Sequence, residues 1–194
     1  MALVDQIVSA LGKEISQLPT GFYDSFGYTT TGRNCTHPVT LGLLAKVLWQ
    51  MPRVRYVAVD FHLNENGAKF QPDLAALTEI EPLQLLLFLD YESPNSCDNR
   101  IRTKDVAAYE KWCTVCTKRI PYFIVTTLPN QEASDWELRY TSKNRCNEGF
   151  RGRREDIRKN PFAFWYSEYR RRLRNVPDVY FINIDGKHVV PVPV

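Results

Sequence analysis

Three carboxylates carry the chemical content of this chain. Pro72-Asp73 is followed, seventeen residues after the aspartate, by Asp90 at the end of the apolar run Leu85-Leu86-Leu87-Phe88-Leu89, and Glu92 stands two positions further on. A polar-ended apolar run reads as a buried strand that delivers its acids to the exit. Residues two apart in a strand share one face, so Asp90 and Glu92 point the same way. If Asp73 lies at the end of a neighbouring strand, the three carboxylates converge with little basic compensation nearby. Such a cluster is costly, and a hard divalent cation relieves the cost. The pattern points to a metal-dependent phosphodiesterase site.

The elements that must position these groups follow from periodicity. Leu3, Ile7, Val8, Leu11, Ile15 and Leu18 predict an amphipathic helix over 3–18, stopped by Pro19-Thr20-Gly21. Phe22 to Pro38 reads as a loop or irregular hairpin. Thr40 caps a second helix through Leu41, Leu44, Val47 and Leu48, ended by Met51-Pro52. Arg53 to Leu63 reads as a strand, Asn64 to Gly67 as a turn, and Phe70 to Leu77 as a returning strand that forms a hairpin with Val54–Phe61. Gln84 to Tyr91 is the most buried strand by composition. A helix over Ile101–Cys116 then crosses to a strand at Tyr122–Thr127, parallel to the one that contains Asp90. Further on, Trp136–Tyr140 suggests an edge strand. Phe162–Leu173 suggests a helix with Trp165, Tyr169 and Leu173 inward, and Val179–Ile184 with His188–Val192 a terminal hairpin.

The whole is expected to be one α/β domain over 1–194, a central mixed sheet flanked by helices, with a divergent basic region from about 139 to 194. No apolar run approaches the ~20 residues of a membrane span, and Met1 to Gln6 lacks a secretory pattern, so a cytoplasmic protein with no membrane partner is expected. The net charge of +3 is uneven: Arg139 to Arg174 holds twelve basic and four acidic residues, a local +8 that leaves −5 elsewhere. An acidic site beside a basic surface suits a polyanion, and a solvated basic face is the plainer reading. Five cysteines, an odd number, fit a reduced chain better than a disulfide scaffold. Cys113 and Cys116 form a CxxC that Cys97 or Cys146 could complete as structural zinc, though buried or incidental thiols fit it better.

Pro72-Asp73, the apolar strand ending in Asp90-x-Glu92, Ser93-Pro94-Asn95-Ser96, Lys104, Tyr109 and Tyr122-Phe123-Ile124-Val125 resemble the restriction-endonuclease-like core called PD-(D/E)XK. More narrowly they resemble the Uma family of endonucleases common in cyanobacteria, over about residues 54 to 128. Asp90 matches that family's second acid, Ser93-Pro94 its Ser-Pro, and Lys104 its displaced lysine. Glu92 departs from the pattern, standing where the standard motif has lysine and the Uma-like one an apolar residue. The resemblance implies a restriction-endonuclease-like fold and magnesium, or manganese, held by Asp73 and Asp90. It also implies hydrolysis of a nucleic-acid phosphodiester, with DNA preferred over RNA. Lys104 would orient water or stabilise charge on phosphorus. Glu92 would bind a second ion or accept a proton, and Glu14, on the first helix, would add a further carboxylate.

Two arginine groups are phosphate-contact candidates: Arg151, Arg153, Arg154, Arg158 and Lys159, then Arg170, Arg171, Arg172 and Arg174. Ser93, Asn95 and Ser96 read as caps of the next helix, with contact to substrate oxygens as the alternative. His37 reads as a loop hydrogen-bonding residue or a substrate contact, His62 as a reserve general base, and His188 as hairpin surface. The expected partner is duplex DNA, and a homodimer would match its two-fold symmetry. The alternatives are a nucleic-acid-binding protein of the same fold without catalysis, and a zinc-stabilised interaction domain.

Overall fold

A computed structural model describes residues 2–18, 36–92, 103–128, 159–185 and 188–192. Helices α1 (Leu3–Ser16) and α2 (Thr36–Trp49) precede strand β1 (Tyr56–Val59) and a short ribbon, β2 (Leu63–Glu65) with β3 (Ala68–Phe70). Next come β4 (Leu74–Glu79), β5 (Gln84–Glu92), α3 (Thr103–Cys116) and β6 (Tyr122–Thr126). The described chain closes with α4 (Pro161–Leu173), β7 (Val179–Asp185) and β8 (His188–Val192). Six strands form one mixed sheet in the order β1-β4-β5-β6-β7-β8. β1, β4 and β5 are successively antiparallel, β5, β6 and β7 are parallel, and β8 returns antiparallel to β7.

Helices cover both faces of this sheet, which is why its central strands are apolar on both sides. Leu87, Leu89, Tyr91, Phe123, Val125, Ile182 and Ile184 pack with Ile7, Leu11 and Ile15 of α1 and Leu44, Val47 and Leu48 of α2. The alternate residues Phe88, Tyr122, Ile124 and Phe181 pack with Tyr109 and Trp112 of α3, Trp165 and Tyr169 of α4, and Phe70 of the ribbon. Phe88 is fully buried, with its ring edge-on to Phe70 and Trp112 at 5.1 and 5.5 Å. At α4, Asn160 caps the helix by accepting from the Ala163 amide at 2.8 Å, and Pro161 occupies the first turn.

The first helix, the strand at Gln84–Tyr91, the parallel crossover to β6 and the terminal hairpin all stand where periodicity placed them. Three expectations are corrected. The strand expected over Arg53–Leu63 breaks at Asp60, which takes a left-handed φ of 54°. The chain then leaves the sheet as the β2–β3 ribbon and returns at Asp73, so only Tyr56–Val59 pairs with Leu74–Leu77. Within the ribbon, Asn66 and Gly67 (φ 47° and 79°) supply the two positive angles a tight hairpin turn requires. Finally, α2 begins at Thr36 rather than Thr40, with Pro38 in its first turn, where a missing amide hydrogen costs no helical bond. The Trp136–Tyr140 edge strand and the Phe22–Cys35 part of the expected loop lie outside the described residues.

Phe88→Ala is expected to cost about 3–5 kcal/mol through lost burial and the cavity left behind. The exposed Lys118→Gln should stay within about 0.5 kcal/mol. Urea midpoints at unchanged slope measure both, and a near-neutral Phe88→Ala would remove Phe88 from the load-carrying core.

Candidate active site

The β4–β5 register brings the first two acids together. Leu74 pairs with Leu89, so Asp73, one residue before β4, stands across from Asp90. The two strands clasp each other through these side chains. The Asp73 amide donates to Asp90 Oδ1 at 2.8 Å, and the Tyr91 amide donates to Asp73 Oδ2 at 2.9 Å. The Tyr122 hydroxyl, from the next strand β6, donates to Asp90 Oδ2. Asp90 and Glu92 are both buried and follow Phe88 in alternation, so they point to the face that carries α3 and α4. Asp73 keeps 30% of its side chain exposed, at the margin between the two faces.

Burial is the largest influence on Asp90, and the neighbouring Asp73 and Glu92 charges act in the same direction. Against the Tyr122 and Asp73 hydrogen bonds, these push its carboxyl up from 3.8 to about 8. A shift in this direction favours the protonated form of Asp90 at neutral pH.

Two groups around the pair were not assigned to it from sequence. His37, carried on the first turn of α2, places Nε2 3.9 Å from Asp73 Oδ2, and its ring lies 5.6 Å from that of Tyr91. The early start of α2 brings it there. Tyr122 could be read only as a strand residue, because nothing in sequence marks its hydroxyl as the partner of Asp90. Beside Asp73 opens a cleft of about 670 Å³ lined by Asp60, His62, Asn64, Lys69, Gln71 and Ala108. Asp60 braces its wall, accepting from Gln71 Nε2 at 2.5 Å and lying 4.0 Å from His62 Nε2.

The remaining candidates are placed unevenly. Lys104 lies in the first turn of α3, and its side chain is outside the described residues. Glu14 is buried but is not brought to the pair. It accepts from Lys46 Nζ at 2.5 Å and Gln50 Nε2 at 3.1 Å. Those bonds, Lys46 first, hold its carboxyl below the usual range. Lys46 follows His37 by nine helical residues, roughly 13 Å along α2, so Glu14 serves the far end of that helix. Lys159, Arg170, Arg171 and Arg174 are exposed at the two ends of α4, whereas Arg151, Arg153, Arg154, Arg158 and the Arg172 side chain lie outside the described residues. So do Ser93, Asn95, Ser96, Cys35, Cys97 and Cys146. Cys113 and Cys116 are free thiols, Cys113 within the α3 core. Among the described residues no group of three or more His, Cys, Asp or Glu side chains is arranged to hold a metal ion. None of the described helices is long and apolar enough to cross a membrane.

In comparisons with known proteins, no family model, curated protein or solved structure matches the chain. What the site can do rests on its own chemistry. It offers two adjacent hard-oxygen donors, a third carboxylate on the same strand face, and an open polar cleft alongside.

The raised Asp90 pKa has a testable sign. Between about pH 4 and about pH 8 the folded protein holds one more proton at this position than the unfolded chain. Its contribution to stability is thus fully present below that window and falls as pH rises through it. Asp90→Asn should flatten this fall in urea midpoints measured without divalent ions. Superimposable pH profiles for variant and wild type would show that Asp90 is ionised throughout.

Proposed function

We propose that this protein is a magnesium-dependent endonuclease acting on DNA, with a core of the restriction-endonuclease-like type. The observation that carries this reading is the juxtaposition of Asp73 and Asp90 across β4 and β5, beside a polar cleft that Asp73 lines. The three-stranded antiparallel run, crossover helix and parallel strand surrounding the pair support the same reading. A buried carboxyl with a raised pKa, held against a second acid that lines an open cleft, is a common mark of a functional site.

The donor set fits magnesium, which takes one or two carboxylates from a protein and keeps several waters. Asp73 and Asp90 would hold it; manganese suits the same donors. The ion would supply polarisation of a phosphodiester oxygen and an activated water. Asp90 must give up its proton for this, so ion binding and proton release are linked. Its burial keeps competing water away from the carboxylate, while the more exposed Asp73 faces the incoming substrate. Glu92 can accept a proton on the same face, and Lys104, by the resemblance, would steady charge on the transferring phosphorus. The exposed Lys159, Arg170, Arg171 and Arg174, with the other arginines of the basic region, would grip the backbone outside the reacting centre. A homodimer would set one site against each strand of a duplex.

One observation favours a second reading, DNA binding without cleavage. Both Asp90 oxygens and one of Asp73 are engaged by backbone amides and Tyr122, and Glu92 occupies the usual lysine position.

Incubation of plasmid DNA with magnesium separates the two. The nuclease reading expects cleavage by wild type that is abolished in Asp73→Asn and in Asp90→Asn. Calorimetry should show magnesium binding lost in the same variants. Cleavage at the wild-type rate by Asp90→Asn would overturn the assignment, and binding with no cleavage by wild type would establish the second reading.

A further inference from the structure

The β2–β3 ribbon is an excursion between two sheet strands, and it has two unlike faces. Leu63 and Phe70, directly paired, are buried against the α3 side of the core, as is Ala68. Asn64 and Lys69 are also directly paired, and both are exposed. Alternation puts this second pair on the opposite face of the ribbon. Both residues line the cleft that contains Asp73, which Leu63, Phe70 and Ala108 border as well. Among the described residues Lys69 forms no ion pair: Asp60, the other cleft acid, is engaged by Gln71 and faces His62. The cleft therefore presents an uncommitted ammonium group and an amide beside the acid pair, in a volume of about 670 Å³ that suits a nucleotide-sized unit.

We infer that the outer face of the β2–β3 ribbon grips the nucleic-acid backbone next to the reacting centre, Lys69 holding one phosphate and Asn64 a neighbouring backbone oxygen. The inference rests on the nuclease reading and adds to it a substrate-positioning surface beside Asp73. Its physical logic is one of charge. Carboxylates at Asp73 and Asp60 repel a polyanion, so a phosphate entering this cleft needs a cation in its lining, and Lys69 provides it. Lysine is suited to this as a point charge on a flexible stem, and asparagine commonly hydrogen-bonds backbone oxygens. Such contacts set position on the strand and carry no base sequence.

The test is fluorescence anisotropy with two labelled DNA duplexes of unrelated sequence, in calcium across a potassium chloride series, with plasmid cleavage in magnesium read in parallel. The variants are Lys69→Gln, Asn64→Ala and, as a control outside the cleft, Lys118→Gln. All three positions are exposed, so the fold should survive. Lys69→Gln should weaken binding to both duplexes alike and reduce the log-affinity against log-salt slope by roughly 1. Asn64→Ala should weaken binding with the slope unchanged, and Lys118→Gln should match wild type. If wild type cleaves but Lys69→Gln keeps its affinity and slope, or Lys118→Gln falls as far, the ribbon assignment is overturned and the nuclease reading stands. A wild-type protein that neither binds nor cleaves overturns both.

Discussion

Everything around the candidate site depends on the reciprocal clasp between the ends of β4 and β5. An antiparallel pair ordinarily closes its ladder with backbone groups. Here each strand end instead offers an amide to the other strand's aspartate. Asp90 reaches further, to the Tyr122 hydroxyl on β6, so one carboxyl ties three neighbouring strands. β5 lies between β4 and β6 with helices on both faces, and that position takes Asp90 out of water. The same burial that lets the sheet form is what raises the carboxyl to about 8. Fold and electrostatics cannot be separated at this point.

The clasp also divides labour between two chemically identical side chains. Asp90 is buried among other acids, an environment that favours its neutral form. Asp73 retains contact with solvent and lies beside His37 in the first turn of α2, the end of a helix that favours negative charge. Two carboxylates held in unlike surroundings are a recurrent way to obtain unlike acid–base behaviour from one residue type. Lowering the proton affinity of Asp90 requires positive charge close to its carboxyl.

Much of this arrangement was legible in the sequence because it follows from alternation. Asp90 and Glu92 had to share a face, and a run as apolar as Leu85–Leu89 had to be central. The parallel crossover to β6 followed from the length of the intervening helix. What escaped depended on single residues that override a pattern. Asp60 accepts a left-handed φ and turns one long strand into a strand plus a ribbon. His37-Pro38 reads as the end of a loop because a residue before proline avoids helical angles, yet both fall within the first turn of α2. That shift moved His37 to the site. Tyr122 is one of several strand aromatics, and only the register shows whose oxygen it meets. Glu14 had the right type and burial but was drawn to Lys46 and Gln50 at the other end of α2.

A purely structural account of Asp90 meets a difficulty within the same sheet. Asn183 on β7 is as buried as Asp90 and has a comparable task. It accepts from Thr126 Oγ1 and from the Leu128 amide and donates to the Leu128 carbonyl, joining β7 to the end of β6. It does so with a neutral amide, which bears no charge to desolvate. An asparagine at position 90 could accept from the Asp73 amide and donate to a reoriented Tyr122 hydroxyl in the same way. Holding the strands together therefore does not require a carboxylate there, still less one beside Asp73 and Glu92. The ionisable group costs stability at neutral pH that an amide would spare. That cost is accounted for if the group must, on binding a cation, give up its proton.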